Sequence, residues 1–405
     1  MTEENKSVKN FPNLRFPGFE EEWEVTILGK CVYSFEYGMN ASAIKFDGEN
    51  RYIRITDIDE SSSKYKPEFP VSPNGQLIDK YLVSENDILF ARTGASTGKS
   101  YLYNKDDGKL YFAGFLIRAK IKEEFNSYFV FTQTKTIQYY KWVQLMSMRS
   151  GQPGINSQEY ASYSFNIPSK NEQDKIASFL LLLDERISTQ KKIIEQLETL
   201  MKGVSYKLFN RKIRFKNTEL SEFPSWESKK GNEVFSNISN KNHNSDLPIL
   251  AITQDYGAIP RDLIDFQISV SDKSVESYKV VEKGDFIISL RSFQGGIEYS
   301  EYKGICSPAY VILRNKIEVN SYFYKYYFKS ESYIKQLNKK LEGIRDGKMI
   351  SYAYFSDINL PLPSLNEQTK IANFLSSIQD KIETEKQILK KLELQKKFLL
   401  ANLFV

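Results

Sequence analysis

The chain has 405 residues, of which 41% are hydrophobic and 26% are charged. This balance excludes a disordered protein, and the length favours two globular domains with connectors. The net charge of +5 is only a slight indication of a polyanionic partner. The longest apolar stretch, Phe179 to Leu183, is too short to span a bilayer. With two cysteines and no signal-peptide pattern, we expect a reduced, cytoplasmic protein.

The first globular domain is predicted at residues 14–166, with mixed α/β structure. Runs rich in β-branched and aromatic residues predict strands at 52–58, 87–91 and 110–120. An amphipathic pattern predicts one helix over 126–146, capped by Asn126 or Ser127.

Residues 167–212 are predicted to form a long helix that follows this domain. Pro168 precedes the sequence Ser169-x-x-Glu172, a capping box that marks a helix start. Apolar residues then recur at alternating spacings of three and four, which is typical of a coiled-coil seam. The central seam positions are Leu180, Leu183, Ile187, Gln190 and Ile194.

The same order of elements follows in the second half of the chain. A second mixed α/β domain is predicted at 213–361, with strands at 247–253, 285–290 and 308–313 and a helix near 321–341. A second capping box, Ser364-x-x-Glu367, begins a second long helix within 362–405. Its central seam positions are Leu375, Ile378, Ile382, Glu385 and Leu389.

The two helical segments are copies of one another. Residues 168–209 and 363–404 align without a gap, and nearly half of the aligned positions are identical. The domains repeat more loosely, since Asn126-Ser127-Tyr128-Phe129 recurs as Asn320-Ser321-Tyr322-Phe323. The chain is therefore a twofold internal repeat of one variable domain followed by one helix.

Each predicted helix is too long to pack on its own domain alone. About 40 residues at about 1.5 Å per residue give about 60 Å. We therefore expect the two helices to pack on each other, antiparallel about an approximate twofold axis. Gln190 and Glu385 interrupt the seam at the same repeat position, where a polar residue costs stability but can fix register. The predicted fold class is α+β, with two mixed α/β domains alternating with an antiparallel coiled coil.

The sequence lacks the motifs of an enzyme. His243 is the only histidine, and no zinc-ligand spacing occurs. The stretch Gly94 to Ser100 resembles a phosphate-binding loop, but its first gap is three residues instead of four, and its counterpart in the second domain lacks the Lys-Ser pair. We predict no catalytic residue, no metal site and no bound cofactor in this chain.

Polar loops that follow predicted strands are the candidates for contact with DNA. In both domains a strand ends in an arginine and a small, glycine-containing turn, and each domain has a second arginine-glycine loop. Arginine can read guanine, and glutamine or asparagine can read adenine. The candidates are Arg92, Thr93, Ser96, Lys99, Arg149, Gln152 and Asn156 in the first domain, and Arg291, Ser292, Gln294, Arg345 and Lys348 in the second. The alternative is that these are ordinary solvated loops.

The motif P-S-x-N-E-Q-x-K-I-A-x-F-L, present once at the start of each helix, resembles the specificity subunits of type I restriction-modification enzymes. The stretches LRFPGFEEEWE and ILFARTG are also similar to that family, so the resemblance extends from Leu14 to Phe404. In that family two target-recognition domains alternate with helical spacers.

The resemblance implies a non-catalytic, sequence-specific DNA-recognition subunit. Each recognition domain would read one half of a bipartite double-stranded DNA target, and the helices would set the gap and dock two methyltransferase subunits. A motor-nuclease subunit would complete the complex. S-adenosylmethionine, ATP and Mg would then be bound by these partners, and no membrane partner is implied. Because the candidate loops differ, we expect two unlike half-sites.

The alternative function is a non-enzymatic coiled-coil scaffold whose two domains bind something other than DNA. Salt-dependent binding of duplex DNA separates the two hypotheses.

Overall fold

The computed structural model describes residues 10–148, 152–243, 246–264, 275–339 and 350–405. These residues form two compact units. Unit 1 takes the described residues up to Gln190 together with Ile388–Val405, and unit 2 takes Lys191–Gln387. Each unit therefore contains one variable domain and a part of both long helices. In the part of the chain that the structure describes, no helix has the length and apolar character needed to cross a membrane.

Unit 1 is built on an antiparallel sheet of four strands in the order β2-β9-β6-β7, while β1 pairs with β10, β3 with β5 and β4 with β8. The strands are β1 (Glu24–Ile27), β2 (Val32–Tyr37), β3 (Ala43–Lys45), β4 (Arg51–Ile53), β5 (Val71–Pro73), β6 (Asp87–Ala91), β7 (Ser100–Leu102), β8 (Leu110–Phe112), β9 (Leu116–Ile121) and β10 (Ser164–Ile167). The helices are α1 (Ser127–Gln133), α2 (Ile137–Ser147), α3 (Ser157–Ala161) and the first part of α4 (Lys170–Phe209).

Strand β6 is buried on both faces, which explains its continuous apolar sequence. Ile88 and Phe90 belong to the core that includes Trp23 and Phe129, whereas Leu89 belongs to a second core on the other face. Successive side chains of a strand point to opposite faces, so one strand serves both cores. The backbone of Arg92, which directly follows β6, is therefore anchored to a strand that is buried on both faces.

Unit 2 repeats the arrangement, with a sheet in the order β12-β19-β16-β17 and with the pairs β11-β20, β13-β14 and β15-β18. Its strands are β11 (Glu227–Lys230), β12 (Phe235–Ile238), β13 (Leu250–Thr253), β14 (Gly257–Pro260), β15 (Lys279–Val281), β16 (Phe286–Ile288), β17 (Glu298–Tyr299), β18 (Gly304–Cys306), β19 (Val311–Asn315) and β20 (Asn359–Leu362). Its helices are α5 (Gly231–Val234), α6 (Ser292–Gly295), α7 (Ser321–Phe328), α8 (Glu331–Lys339), α9 (Tyr352–Ser356) and part of α10 (Leu365–Asn402).

Strand β16 is the counterpart of β6. Phe286 and Ile288 lie in the main core of unit 2, and Ile287 lies in a smaller core on the other face. The strand order and the alternation of core residues are therefore the same in both units.

The helices predicted at 126–146 and 321–341 are each divided in two. Residues 340 and 341 of the second prediction lie outside the described residues. In unit 1 the hydroxyl of Thr136 accepts the Tyr139 N–H at 3.3 Å and begins α2. In unit 2 the Ser330 hydroxyl accepts the Tyr333 N–H at 3.3 Å. A hydroxyl that satisfies a free N–H in this way starts a new helix.

The strand predicted at 87–91 is confirmed, but the other predicted strands differ in their bounds. In unit 2 the predictions at 247–253 and 285–290 shorten to β13 and β16, and the prediction at 308–313 shifts to β19. The prediction at 110–120 is divided into β8 and β9 by a turn, and the prediction at 52–58 contains the end of β4 and a short 3-10 turn at Ile55–Asp57.

An arginine-glutamate pair fixes the start of each long helix. Arg15 forms two hydrogen bonds of 2.8 Å with Glu172, and Arg214 forms bonds of 3.0 and 2.7 Å with Glu367. The capping-box prediction is therefore corrected, because the buried carboxylates bind arginine instead of the preceding backbone. The Ser364 hydroxyl still accepts the Glu367 N–H, at 3.4 Å. We call these two ion pairs the latches.

The glutamine that follows each latch glutamate connects the helix to its domain. The Gln173 side chain accepts the Asn126 N–H at 3.0 Å and donates to the Pro168 carbonyl at 2.9 Å. In unit 2, Gln368 makes the same two bonds, to Asn320 at 2.9 Å and to Pro363 at 2.8 Å. The glutamine of the repeated Asn-Glu-Gln sequence thus joins the start of each long helix to its domain, and we call these contacts the glutamine joints.

The long helices are antiparallel, as predicted, and the direction is seen within each unit. In unit 1, Asp184 pairs with Lys396 at 2.5 Å, and Leu183 and Ile187 pack with Leu392. In unit 2, Glu198 pairs with Lys386 at 2.7 Å. Further along α4 in unit 2, Leu208 shares the main core with Leu375 of α10. Higher residue numbers in α4 therefore meet lower residue numbers in α10 in both units.

The predicted seam positions are buried, except Leu389, which is partly buried. Ile176 and Leu180 lie in the main core of unit 1 with Leu403 and Phe404, while Leu375 lies in the main core of unit 2. Gln190 and Glu385 are each 7% exposed. The seam side chains are thus used in packing the helices.

Candidate nucleic-acid interface

Arg92 leaves the sheet of unit 1 directly after the buried strand β6. Its N–H donates to the Phe115 carbonyl at 3.1 Å, which joins it to the turn before β9. Its guanidinium carbon lies 4.9 Å from the ring centre of Tyr37. A guanidinium over an aromatic face is attracted by the ring electrons. The Tyr37 ring therefore favours one direction of the Arg92 side chain.

The two candidate loops of unit 1 lie against each other. Thr93 and Gly154 form an antiparallel bridge, and the Gly94 N–H donates to the Pro153 carbonyl at 2.9 Å. Gly94 has φ +74°, a conformation that favours glycine, and Gln152 lies beside it. The fold thus brings together residues that are about sixty positions apart in the sequence.

The other candidates of unit 1 have partners within the protein. Lys99 forms an ion pair of 3.5 Å with the exposed Glu60, and its N–H donates to the Ser96 carbonyl at 3.0 Å. The Asn156 side chain accepts the Glu159 N–H at 2.9 Å and caps α3. The Asn156 oxygen is therefore used by the helix, whereas Ser96 and Lys99 stay part of an accessible turn.

A recess of about 660 Å³ opens beside Arg92. Arg54 also lines it, and the Arg54 guanidinium makes hydrogen bonds of 2.9 and 2.8 Å to the buried Asp57. Phe115 stands at this recess with 64% of its surface exposed. Sequence reasoning missed these lining residues because only the fold gathers them. They are Tyr37, Asn40, Arg54 and Phe115.

The corresponding strand exit of unit 2 has a different structure. Arg291 is exposed and precedes the short helix α6, and the Gln254 side chain donates to its carbonyl at 3.4 Å. Gln294 is exposed, but Ser292 is buried and its hydroxyl accepts the Ser289 N–H at 2.9 Å. Arg291 and Gln294 are thus accessible, whereas Ser292 supports the turn. Three further candidates, Arg149, Arg345 and Lys348, lie outside the described residues.

A recess of about 840 Å³ in unit 2 contains both acidic and basic groups. Gln294 lines it together with Glu298, whose carboxylate lies 2.5 Å from the Lys329 ammonium. Burial raises the pKa of Glu298 to about 7, although Lys329 opposes this shift. The two strand exits therefore present different electrostatic surroundings to a ligand.

Both cysteines are buried. Burial raises the pKa of Cys31 to about 11 and that of Cys306 to about 12, so both thiols stay protonated near neutral pH. The ring of His243, half-buried, lies 3.1 Å from the Tyr278 carbonyl.

Two homologous units, each with an arginine where a buried strand ends and each built around paired long helices, define a bipartite recognition protein. The family model described as the type I restriction modification DNA specificity domain matches residues 21–199 and again 214–394. The chain belongs to this family. It is a DNA-recognition subunit with no catalytic role of its own, as the resemblance implied.

Two proteins of Methanocaldococcus jannaschii are similar over nearly the whole length. The putative type I restriction enzyme MjaX specificity subunit is 27% identical over 411 residues, which cover 96% of this chain and 94% of that protein. The type I restriction enzyme MjaVIII specificity subunit is 26% identical over 420 residues, covering 97% and 93%.

Solved structures share the fold at low sequence identity. The S subunit of a type I restriction-modification system from M. genitalium aligns with a TM-score of 0.62 at 18% identity, covering 98% of this chain and 99% of that one. A chain from a study of complex assembly and conformational transition of the type I R-M system aligns with a TM-score of 0.54 at 17% identity, covering 96% and 98%.

Proposed function

We propose that each unit reads one short block of a bipartite duplex target, and that the two blocks differ in sequence. The observation that supports this is that an arginine lies near the corresponding strand exit of each unit, in different surroundings. Arg92 directly follows β6 and lies over the ring of Tyr37, whereas Arg291 comes three residues after β16 and precedes a short helix. Arginine makes bidentate contacts with guanine in the major groove. Different surroundings would give the two blocks different sequences.

The first block would be read from the joined loops of unit 1. Arg92 is the base reader in this proposal, Gln152 a second one, and Thr93, Ser96 and Lys99 lie on the turn that would approach the phosphates. In unit 2, Arg291 and Gln294 take the corresponding part. Phosphate contacts orient a protein on DNA, and base contacts specify the sequence.

The long helices would fix the distance between the two blocks. Each is a single helix, Lys170–Phe209 and Leu365–Asn402, and their paired seams make them stiff. The gap in the target should therefore have one length.

The partners would be the other subunits of the restriction-modification complex. Two methyltransferase subunits, which supply S-adenosylmethionine binding, would dock on the helical spacers, and a motor-nuclease subunit would add ATP-dependent cleavage. The scaffold alternative, in which the units bind no DNA, has no observation in its favour beyond the helices themselves.

Selection from a random duplex library tests this function with the complete complex. Arg92→Ala should lose preference only in one block, at a cost of about 1–3 kcal/mol, and Arg291→Ala only in the other. Arg92→Lys and Arg291→Lys are the matched controls, because lysine keeps the charge but loses the bidentate fork. Base readers should fail with lysine as well as with alanine.

Three results would contradict the proposal. They are loss of preference in the same block by both alanine variants, a freely varying gap in the wild type, and binding that shows no dependence on sequence. Rescue by lysine would instead assign the arginine to a phosphate, with a smaller dependence of binding on salt in the alanine variant.

A further inference from the structure

Phe115 is a large apolar side chain that the fold holds in solvent. It occupies the third position of a tight turn, in which the Leu116 N–H donates to the Ala113 carbonyl at 2.8 Å. The Gly114 N–H donates to the Met39 carbonyl at 2.8 Å, which anchors the turn to the chain after β2. A Cβ atom on Gly38 would collide with the Ala113 carbonyl, so the approach is close. With 64% of its surface exposed, Phe115 is presented on a rigid support.

This turn stands next to the candidate base reader. The Phe115 carbonyl accepts the Arg92 N–H at 3.1 Å, and both side chains line the 660 Å³ recess together with Arg54. No carboxylate belongs to that lining among the described residues. The charge of Arg54 is balanced by Asp57, so Arg92 and the rings of Tyr37 and Phe115 give the recess its character. An arginine beside aromatic rings suits a DNA surface.

The second half of the chain shows that the turn does not need phenylalanine. Residues 112–129 align with 306–323 without a gap, and Ala309 takes the place of Phe115. The same turn is present, because the Tyr310 N–H donates to the Ser307 carbonyl at 3.1 Å. The framework keeps its backbone bond with alanine, so the ring in unit 1 serves something other than the fold.

We propose that Phe115 contacts the 5-methyl group of a thymine next to the guanine read by Arg92. This inference rests on the proposed function. Arg92 can make its bidentate guanine contact only in the major groove, where the thymine methyl group is also displayed and where phenylalanine is one of its apolar partners. Apolar wedges that unstack base steps enter mostly from the minor groove, so the neighbouring arginine favours the methyl contact.

The test replaces thymine by uracil, which lacks only the 5-methyl group. Duplexes carrying the selected target, with each thymine of the first block replaced singly, are titrated with the complete complex. For the wild type, one replacement should weaken binding about fourfold, the value of one buried methyl group. Phe115→Ala should weaken binding to the thymine duplex by a similar factor and should respond to no replacement.

Ala309→Phe is the matched control, because it introduces the same ring on the same turn of unit 2. It should leave the uracil response of the first block unchanged. Phe115→Ala copies a residue that this turn already accepts, and an unchanged melting temperature would verify that it folds.

The proposal is overturned if Phe115→Ala keeps the uracil response, or if the first block contains no A·T pair. It is also overturned if a base analogue shows that Phe115 unstacks neighbouring bases while the uracil replacement has no effect. That result would mean that Phe115 acts as a wedge between bases. Failure of the proposed function looks different, because the wild-type complex would then show no sequence preference for any duplex.

Discussion

The two units use one framework to present two different surfaces. The latches, the glutamine joints and the strand order of the main sheet are the same in both. At the strand exits, by contrast, Arg92 lies over Tyr37 beside a recess whose described lining has no carboxylate, whereas Arg291 precedes a short helix beside a recess with a buried carboxylate. Residues that join the domain to the long helices have therefore been retained, while those at the exits have diverged.

Among the substitutions that compare the two units, those at the latches should have the largest effect on stability. Arg15→Ala and Arg214→Ala each leave a buried carboxylate without its ion pair, which costs about 3–5 kcal/mol. Arg214→Ala should cost less, because the Trp226 indole N–H still donates to Glu367 at 2.9 Å. The Trp23 indole N–H has no partner among the described residues. Denaturant unfolding, followed separately by probes in each unit, measures both losses.

Lys192→Ala is the control for the latches, since it removes an exposed positive charge from α4 and should change stability little. Equal costs for the two latch variants would show that the Trp226 bond contributes nothing. A cost below about 1 kcal/mol for both would show that the latches are ordinary surface ion pairs.

The buried carboxylate of Glu298 in unit 2 predicts that stability depends on pH. Unit 1 has Tyr101 at the matching strand position and therefore no carboxylate there. Glu298 faces Lys329 and Asp255, and its pKa is raised from 4.5 to about 7 by burial. A raised carboxyl pKa means that the folded state keeps a proton that the unfolded state has lost. Stability should therefore fall between about pH 4.5 and pH 7, by at most about 1.4 kcal/mol per pH unit.

Glu298→Gln should flatten this part of the stability curve of unit 2. Glu301→Gln, at a neighbouring position that binds Lys325, is the matched control and should keep the wild-type slope. If wild type and Glu298→Gln decline in parallel over this range, another group is responsible.

The smallest predicted effect concerns the ring beneath Arg92. Tyr37→Leu removes the aromatic face and should weaken binding of the first block by about 0.5–1 kcal/mol, the value of an exposed cation–π contact. Tyr37→Phe keeps the ring and removes only the hydroxyl that donates to Ser157 at 3.1 Å, so it should bind like the wild type. Equal losses in the two variants would assign the effect to the hydroxyl, and any loss at the second block would contradict the separation of the two readers.

The repeated parts of the fold could be predicted because their pattern is local. A 3-4 spacing reports a buried helix face directly, and the run Ile88 to Phe90 reports a buried strand. The breaks at Thr136 and Ser330 were missed because both residues lie within continuous amphipathic patterns, and their capping role depends on backbone geometry. The glutamates of the latches were misread because their arginines lie about 150 positions away.

The candidate site was only partly predictable for the same reason. Arg92 could be predicted as a candidate because it follows a strand whose sequence is distinctive. Tyr37, Arg54 and Phe115 come from three separate segments and meet Arg92 only through the pairing of strands. Phe115 left one sequence signal, its replacement by Ala309 within a well-aligned repeat, which becomes informative once the turn is known to be surface-exposed.

Unit 1 is assembled from two stretches of chain that are separated by the whole of unit 2. Phe404 packs on Trp23 and Phe129, with ring centres 6.4 and 5.3 Å apart. On the ribosome, unit 2 can therefore complete its core from one uninterrupted stretch, while the domain synthesised first waits for residues 388–405. Closing a loop of roughly 200 residues is entropically costly and slow. Completion of the unit 1 core therefore requires residues that are synthesised after the whole of unit 2.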